Sequence, residues 1–268
     1  MAKLTKSQIK SHNAALRLLE KDKLTLEDKV FVLENWNEGA VHVNSAAGAF
    51  FTPPGLARDF AIEVTGRRII DLCAGIGALS FAVRLKEYEE DAFNITCVEI
   101  NPAYVEVGKK ILPNAAWICG SIFDAELDSL PKFDCAISNP PFGSIKTGRE
   151  NDGLGGFEFS AIKRAAELAK RGVFIVPQMS APFQYSGRQC YERSMPNNKV
   201  KAFIEKTGLM GEIGCGIDTS QYLRDWHGVS PMCEVVLYEF NSAIETKPTS
   251  SHQHLSGSEE NNRQLTLF

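Results

Sequence analysis

No apolar run in this chain approaches the roughly 18 residues that a membrane span needs, and the first residues carry no signal-peptide core. A cytoplasmic protein without membrane attachment is expected. Paired cysteine spacing is also missing. The seven cysteines (73, 97, 119, 135, 190, 215 and 233) include no Cys-x-x-Cys, so neither a disulfide framework nor a zinc site is expected. Cys97, Cys119 and Cys135 sit inside apolar runs, where a reduced thiol acts as a small hydrophobe. His252 and His254 lie in a polar stretch and are not read as metal ligands. A strong charge of one sign is lacking too. The net charge is -4, so a nucleic-acid partner would need a local basic face. Lys and Arg outnumber Asp and Glu between residues 143 and 206, which suits a solvated face or phosphate contacts equally.

What is present is the composition of an ordinary globular protein, 44% hydrophobic and 23% charged. Its 268 residues suit one large domain with small additions. Residues 1–45 read as a helical segment. Ser7 to Leu19 has apolar residues at helical spacing, and Thr25 to Trp36 opens on the capping-box pattern Thr25-Leu26-Glu27-Asp28. A turn at Phe50-Phe51-Thr52-Pro53-Pro54-Gly55 leads into the amphipathic Leu56–Val64. Strand and helix signals then alternate: strands at 68–72, 95–100, 116–120, 133–138 and 173–176, helices at 78–85, 103–111 and 158–168. Such alternation predicts an α/β fold with a doubly wound, mostly parallel sheet, and Met232–Phe240 reads as a late strand able to close its edge. Residues 46–240 are therefore read as one domain. Its stretch at about 178–231 is loop-rich, with one helix near Lys199–Thr207, and is expected to face the substrate. Residues 241–268 are mostly polar and read as a disordered tail.

Two constellations carry chemistry. Ile69-Ile70-Asp71-Leu72-Cys73-Ala74-Gly75-Ile76-Gly77-Ala78-Leu79 is a strand, a glycine turn and a helix start. Gly75 and Gly77 let the backbone approach a ligand closely. A dinucleotide fold would want a third glycine where Ser80 stands. Asp71 is placed to face a zwitterionic amino-acid moiety rather than a pyrophosphate. The next strand ends in Glu99, an acid suited to accept from ribose hydroxyls. Together they point to S-adenosylmethionine. The second constellation is Asn139-Pro140-Pro141-Phe142, directly after the run Phe133–Ser138. The prolines fix φ and remove two donors. An amide acceptor, a free carbonyl and an aromatic face can then hold a flat, amino-bearing group.

With both elements read, the chain resembles the S-adenosylmethionine-dependent DNA adenine-N6 methyltransferases of the Asn-Pro-Pro-Phe type. The order of motifs, with Phe50-Phe51-Thr52-Pro53 first and the target-facing segment late, is similar to their gamma arrangement. The resemblance implies a Rossmann-like class I methyltransferase, with catalysis at Asn139, Pro140, Pro141 and Phe142. It implies cofactor contacts at Phe51, Thr52, Asp71, Cys73, Ala74, Gly75, Gly77, Glu99, Ile100, Ser121, Ile122 and Asn139. One departure concerns Gly120-Ser121-Ile122-Phe123-Asp124, where the family often has Gly-Asp; either Ser121 or Asp124 takes the polar contact. A second is the lack of a large target-recognition domain. The implied partner is DNA, with RNA as the alternative. Asn-Pro-Pro-Phe-Gly and the run Glu234-Val235-Val236-Leu237-Tyr238-Glu239-Phe240 also resemble small RNA adenine methyltransferases. Protein glutamine methyltransferases use a related site, with tyrosine where Phe142 stands. A non-catalytic nucleic-acid or clamp-binding module is the remaining alternative, and intact Asp71, Glu99 and Asn139 argue against it. No Pro-Cys pair follows a strand, which rejects the cytosine-C5 class. Gln264-Leu265-Thr266-Leu267-Phe268 resembles the pentapeptide by which bacterial replication and repair proteins bind the sliding clamp, a further expected partner.

Overall fold

A computed structural model describes residues 4–37, 50–87, 92–142, 153–191 and 197–240. Its centre is a six-stranded sheet in the order β3-β2-β1-β4-β5-β6. The strands are β1 (Arg68–Leu72), β2 (Asn94–Glu99), β3 (Ala116–Cys119), β4 (Phe133–Ser138), β5 (Ala169–Pro177) and β6 (Cys233–Glu239). All neighbours run parallel except β5 and β6, where Pro177 stands opposite Cys233 and Arg171 opposite Glu239. The late strand thus closes the edge, as its sequence suggested. Strand β5 is longer than the apolar run 173–176. Polar Lys170 and Arg171 extend it beyond the core, tied to Asp134 (2.9 Å) and to Glu239.

The period-two alternation of a strand sends neighbouring side chains to opposite faces. Ile69, Cys135, Ile137, Val173 and Ile175 pack on one face under α3 (Pro54–Glu63), α4 (Ala78–Arg84) and α5 (Pro102–Ile111). Ile70, Leu72, Ala136, Phe174 and Val176 pack on the other under α6 (Phe157–Leu168) and α7 (Asn198–Thr207). There Phe159 stacks on Phe203 with ring centroids 4.9 Å apart. Helices on both faces of a mainly parallel sheet make the fold doubly wound.

The N-terminal helices α1 (Lys6–Leu19) and α2 (Leu26–Asn35) begin at Thr5 and Thr25, and each start is a complete capping box. Trp36, just after α2, is buried, with its ring 5.6 Å from Phe51 and 5.6 Å from Tyr104 of α5. Phe51 and Tyr104 meet edge to face at 5.0 Å. This helical pair therefore forms a wall behind Phe51.

The segment between β5 and β6 is held by a buried carboxylate. Glu234 accepts from Gln178 Nε2 (2.7 Å), the Tyr185 and Ser186 backbone amides (2.9 and 3.0 Å) and Ser186 Oγ (2.9 Å). Further along, the Cys215 amide donates to Glu63, Tyr222 donates its hydroxyl to Asp59, and His227 pairs with the Glu34 carbonyl at 3.1 Å. The loop-rich stretch is thus anchored to β6 and to helices α2 and α3. Among the described residues no helix is long and apolar enough to cross a membrane, and no group of ligating side chains could hold a metal ion. Residues 264–268 lie outside the described residues, as do 241–263.

Candidate active site

Strand order reverses at β1, whose neighbours are β2 and β4, so a crevice opens beyond the carboxyl ends of β1 and β4. The cofactor turn and the Asn139 turn both end there. Past Leu72 the backbone enters the left-handed region at Cys73 (φ 64°), Gly75 (φ 58°) and Gly77 (φ 90°). A left-handed cysteine is uncommon, and such strain concentrates at ligand sites. Gly75 also needs its missing side chain, because a Cβ there would stand 3.0 Å from the Phe51 ring. Gly77 caps α4, and its amide donates to the Ala74 carbonyl at 2.8 Å.

Two acids organise the turn. Glu99 Oε2 accepts from the Gly75 amide at 2.9 Å, and Oε1 from the Asn101 amide at 2.8 Å. The carboxylate thereby ties the glycine turn to β2, and burial pushes its pKa up. Asp71 is fully buried, and burial raises its pKa from 3.8 to about 7 against the opposing hydrogen bond from Ser80. Ser80 Oγ donates to Asp71 Oδ2 at 2.6 Å. The residue that breaks the dinucleotide pattern is thus the partner of the acid, a role its sequence position did not reveal. Asp71 Oδ1 is buried without a hydrogen-bond partner.

Asn139 follows β4 and turns its amide toward the Phe50–Thr52 segment. Its Nδ2 donates to the Phe50 carbonyl at 3.0 Å and to Thr52 Oγ1 at 2.9 Å. Both amide hydrogens are therefore used, and Oδ1 is left buried with no partner. Asp71 and Asn139 line the same narrow cavity, with Phe50, Phe51, Thr52, Cys73, Ala74, Gly75, Ile76, Ala78 and Leu79. A buried acceptor without a donor costs about 1–3 kcal/mol. Two of them in one cavity call for a ligand rich in N–H donors, and they disfavour a phosphate.

The cavity gathers seven of the residues named from sequence: Phe51, Thr52, Asp71, Cys73, Ala74, Gly75 and Asn139. The others lie outside its lining. Ile100, directly after Glu99, is 70% exposed, an apolar surface at the strand end. Asp124 folds back on the Ser121 amide at 2.8 Å, and Ser121 Oγ accepts from the Phe123 amide at 3.2 Å, so both side chains are engaged within their loop. Ile122 is buried in the core on the α6 face. Arg164 of α6 holds this loop by donating to the Ile122 carbonyl at 2.9 Å and pairing with Asp128 at 2.6 Å. Pro140 is buried, while Pro141 and Phe142 are half-buried, Phe142 packing on the α3–α5 face. Phe159 is fully buried in the core, whereas Phe157 is half-buried and meets Phe123 edge to face at 5.9 Å.

The basic excess between 143 and 206 is partly used internally. Arg164, Lys170 and Arg171 pair with acids, and Lys206 donates to the Gly153 carbonyl. Beyond Phe51 and Thr52 lies a wider cleft of about 740 Å³, bordered by Leu33, Glu34, Pro54, Asp225 and His227.

With this geometry in place, residues 56–172 match the family model of the methyltransferase small domain. The methyltransferase subunit of a type I restriction-modification system from Streptococcus thermophilus superposes with a TM-score of 0.50 at 12% identity, over 81% of this chain and 50% of that one. The chain has the class I S-adenosylmethionine-dependent methyltransferase fold. A candidate RNA methyltransferase from Pyrococcus horikoshii gives a TM-score of 0.47 at 17% identity, over 80% of this chain and 98% of that one. In sequence, a release factor glutamine methyltransferase of Thermodesulfovibrio yellowstonii is 31% identical over 94 residues. That match covers 34% of this chain and 32% of the relative, so the chain spans about a third of the curated relative's length. S-adenosylmethionine is the cofactor of this methyltransferase fold, and the residues here fit it. Its ammonium suits the unpartnered Asp71 oxygen, and its adenine suits the exposed Ile100 beside Glu99.

Proposed function

We propose that the protein methylates the N6 amine of adenine in DNA, using S-adenosylmethionine. The observation that carries this reading is the Asn139 amide, which lines the cavity with both hydrogens engaged and its oxygen buried and unpartnered. Such an oxygen can only accept. An adenine N6 lone pair is delocalised into its ring and is a poor nucleophile. Hydrogen bonds from its two protons to Asn139 Oδ1 and the Pro140 carbonyl favour a pyramidal nitrogen, and they strengthen as positive charge develops there. Phe142 offers a face for the base, which must be flipped from a duplex or presented in a single strand.

The bound cofactor supplies an electrophilic sulfonium methyl. The chain's own part is to bind and orient. Asp71 and the Gly75 turn hold the amino-acid end, and Glu99 and Ile100 the nucleoside end. Phe51 and Thr52 close the cavity toward Asn139. No covalent nucleophile is needed, because holding methyl and amine in line supplies most of the acceleration.

The resemblance of Phe51-Thr52-Pro53 to the front segment of DNA amino-methyltransferases supports DNA as the polymer, and Phe51 and Thr52 of that segment line the cavity. The glutamine methyltransferase relative favours a second acceptor of the same chemistry, a glutamine side-chain amide. A labelled-methyl transfer assay should compare duplex DNA, single-stranded DNA, ribosomal RNA and a glutamine-bearing release-factor domain, with Asn139→Ala as control. Label in DNA, lost by at least about 100-fold in Asn139→Ala, is the expected result. Label only in RNA or only in protein overturns the polymer. Full transfer by Asn139→Ala overturns the mechanism.

Residues 264–268 carry a separate proposal. Leu265, Leu267 and Phe268 would enter an apolar pocket of the sliding clamp, while Gln264 bonds at its rim and Thr266 spaces them. Deleting 264–268 should abolish clamp binding and leave methylation of short DNA intact. Unchanged clamp affinity would remove the idea.

A further inference from the structure

The resemblance assigns Phe51-Thr52 to the cofactor, yet the hydrogen bonds give Thr52 a second duty. Its Oγ1 accepts from Asn139 Nδ2 at 2.9 Å, while the Phe50 carbonyl takes the other hydrogen at 3.0 Å. Thr52 is 5% exposed, so water does not easily replace this acceptor. The two bonds reach across 87 and 89 residues of sequence, and they join the segment before α3 to the end of β4.

An asparagine amide has two nearly isosteric orientations that differ by half a turn. In one, Oδ1 points into the cavity and can accept from an amine. In the other, the NH2 group points there and opposes an amine's own hydrogens. The Phe50 carbonyl can only accept, so it favours the first orientation. Thr52 completes the lock by satisfying the second hydrogen. Without it, a buried N–H is left without an acceptor, and the amide is held by one bond instead of two; the Phe50 carbonyl sets the direction and Thr52 the firmness of the hold.

We propose that Thr52 is a positioning residue for Asn139, and that its hydroxyl keeps the amide oxygen aimed at the acceptor amine. This rests on the reading of Asn139 as the amine's acceptor, and it changes what Phe-Thr-Pro is for. Phe51 covers Gly75 and Pro53 caps α3, while Thr52 orients the amide that faces the acceptor amine. Thr52→Val keeps the shape and removes the hydroxyl; Thr52→Ser keeps the hydroxyl and trims a methyl. A role confined to cofactor contact would raise the cofactor's Kd and leave kcat alone. A positioning role would lower kcat at saturating cofactor.

The experiment has two arms, both on the full chain. The first is nuclear magnetic resonance of the Asn139 side-chain amide, assigned by its disappearance in Asn139→Ala. Both protons should exchange slowly in the parent and in Thr52→Ser, and one should exchange at least tenfold faster in Thr52→Val. Unchanged exchange in Thr52→Val overturns the proposal. The second arm is the labelled-methyl assay at saturating S-adenosylmethionine. There kcat should fall at least tenfold in Thr52→Val, with rescue in Thr52→Ser. In the Asn139→Ala background, Thr52→Val should add no further loss, because residues acting as one unit are not additive. A normal kcat in Thr52→Val beside an inactive Asn139→Ala sinks this inference and spares the proposed function. Full activity of Asn139→Ala sinks the proposed function itself, whatever the exchange arm shows.

Discussion

The glycine turn after β1 and the stretch between β5 and β6 border the same edge of the sheet, but they are held there by different means. The turn is secured by neighbours close in sequence or on the next strand. Ser80 serves Asp71 nine residues away, and Glu99 reaches the Gly75 amide from β2. The stretch at 178–231 has local order in α7 and its Asn197 cap, but its tie to the sheet is long-range. One carboxylate on the edge strand, Glu234, gathers amides and hydroxyls from 48 to 56 residues away. The glycine turn is thus written in short-range geometry, and the stretch proposed to face the substrate is assembled around a buried charge. A turn that must fit a constant cofactor can be rigid and local. A lip that faces a substrate can vary in sequence as long as its anchor stays.

The largest test of that contrast removes the anchor. Glu234→Ala removes the shared acceptor of four donors, two of them on buried Ser186, and should cost about 3 kcal/mol of stability. Limited proteolysis should show new cuts within 178–231 while calorimetry still detects cofactor binding at low temperature. Simultaneous loss of both would erase the distinction between the two regions.

A second test uses pH on the cofactor side. Burial holds the Asp71 pKa at about 7 against an ordinary 3.8. Between those values the folded protein keeps a proton that the unfolded chain releases, so Asp71 lowers stability as pH rises from about 4 to about 7. An ammonium beside Oδ1 favours the charged form and offsets that loss. The rise in melting temperature on adding S-adenosylmethionine should therefore be several degrees larger at about pH 8 than at about pH 6. Asp71→Asn should flatten the difference; a pH-independent shift in the parent would remove Asp71 from cofactor binding.

The smallest expected effect lies in the wall behind the cavity. Trp36→Leu should weaken cofactor binding about tenfold by loosening Phe51 over Gly75, worth about 1.4 kcal/mol, with Trp36→Phe recovering most of it. Equal affinities in all three proteins would make the N-terminal helices a separate element rather than part of the site.

Much of the fold was legible because it follows from periodicity. Strands β1 and β4 begin and end where their apolar runs do. Helices α2 and α5 start at their capping residues Thr25 and Asn101. Strand β5 runs past its apolar stretch because pairing with β4 and β6 carries it through polar Lys170 and Arg171. At the site, the residues of the glycine turn and Asn139 were visible as types in order. Ser80, Arg164 and Glu234 were not, since each acts on a group remote from it or through an unremarkable helix or strand position. An i,i+3 pattern at Arg164 and Glu167 was the one local signal for the loop anchor.

By itself the sequence determined the doubly wound class, the strand ends and the kinds of side chain that meet at the crevice, because local sterics and hydrophobic period decide those. Only the tertiary structure decided which way they face. The Asn139 oxygen is aimed by Phe50 and Thr52, and Asp71 is pushed toward neutrality by burial. Both effects arise where distant segments close around a group and exclude water, so no stretch of sequence holds them alone.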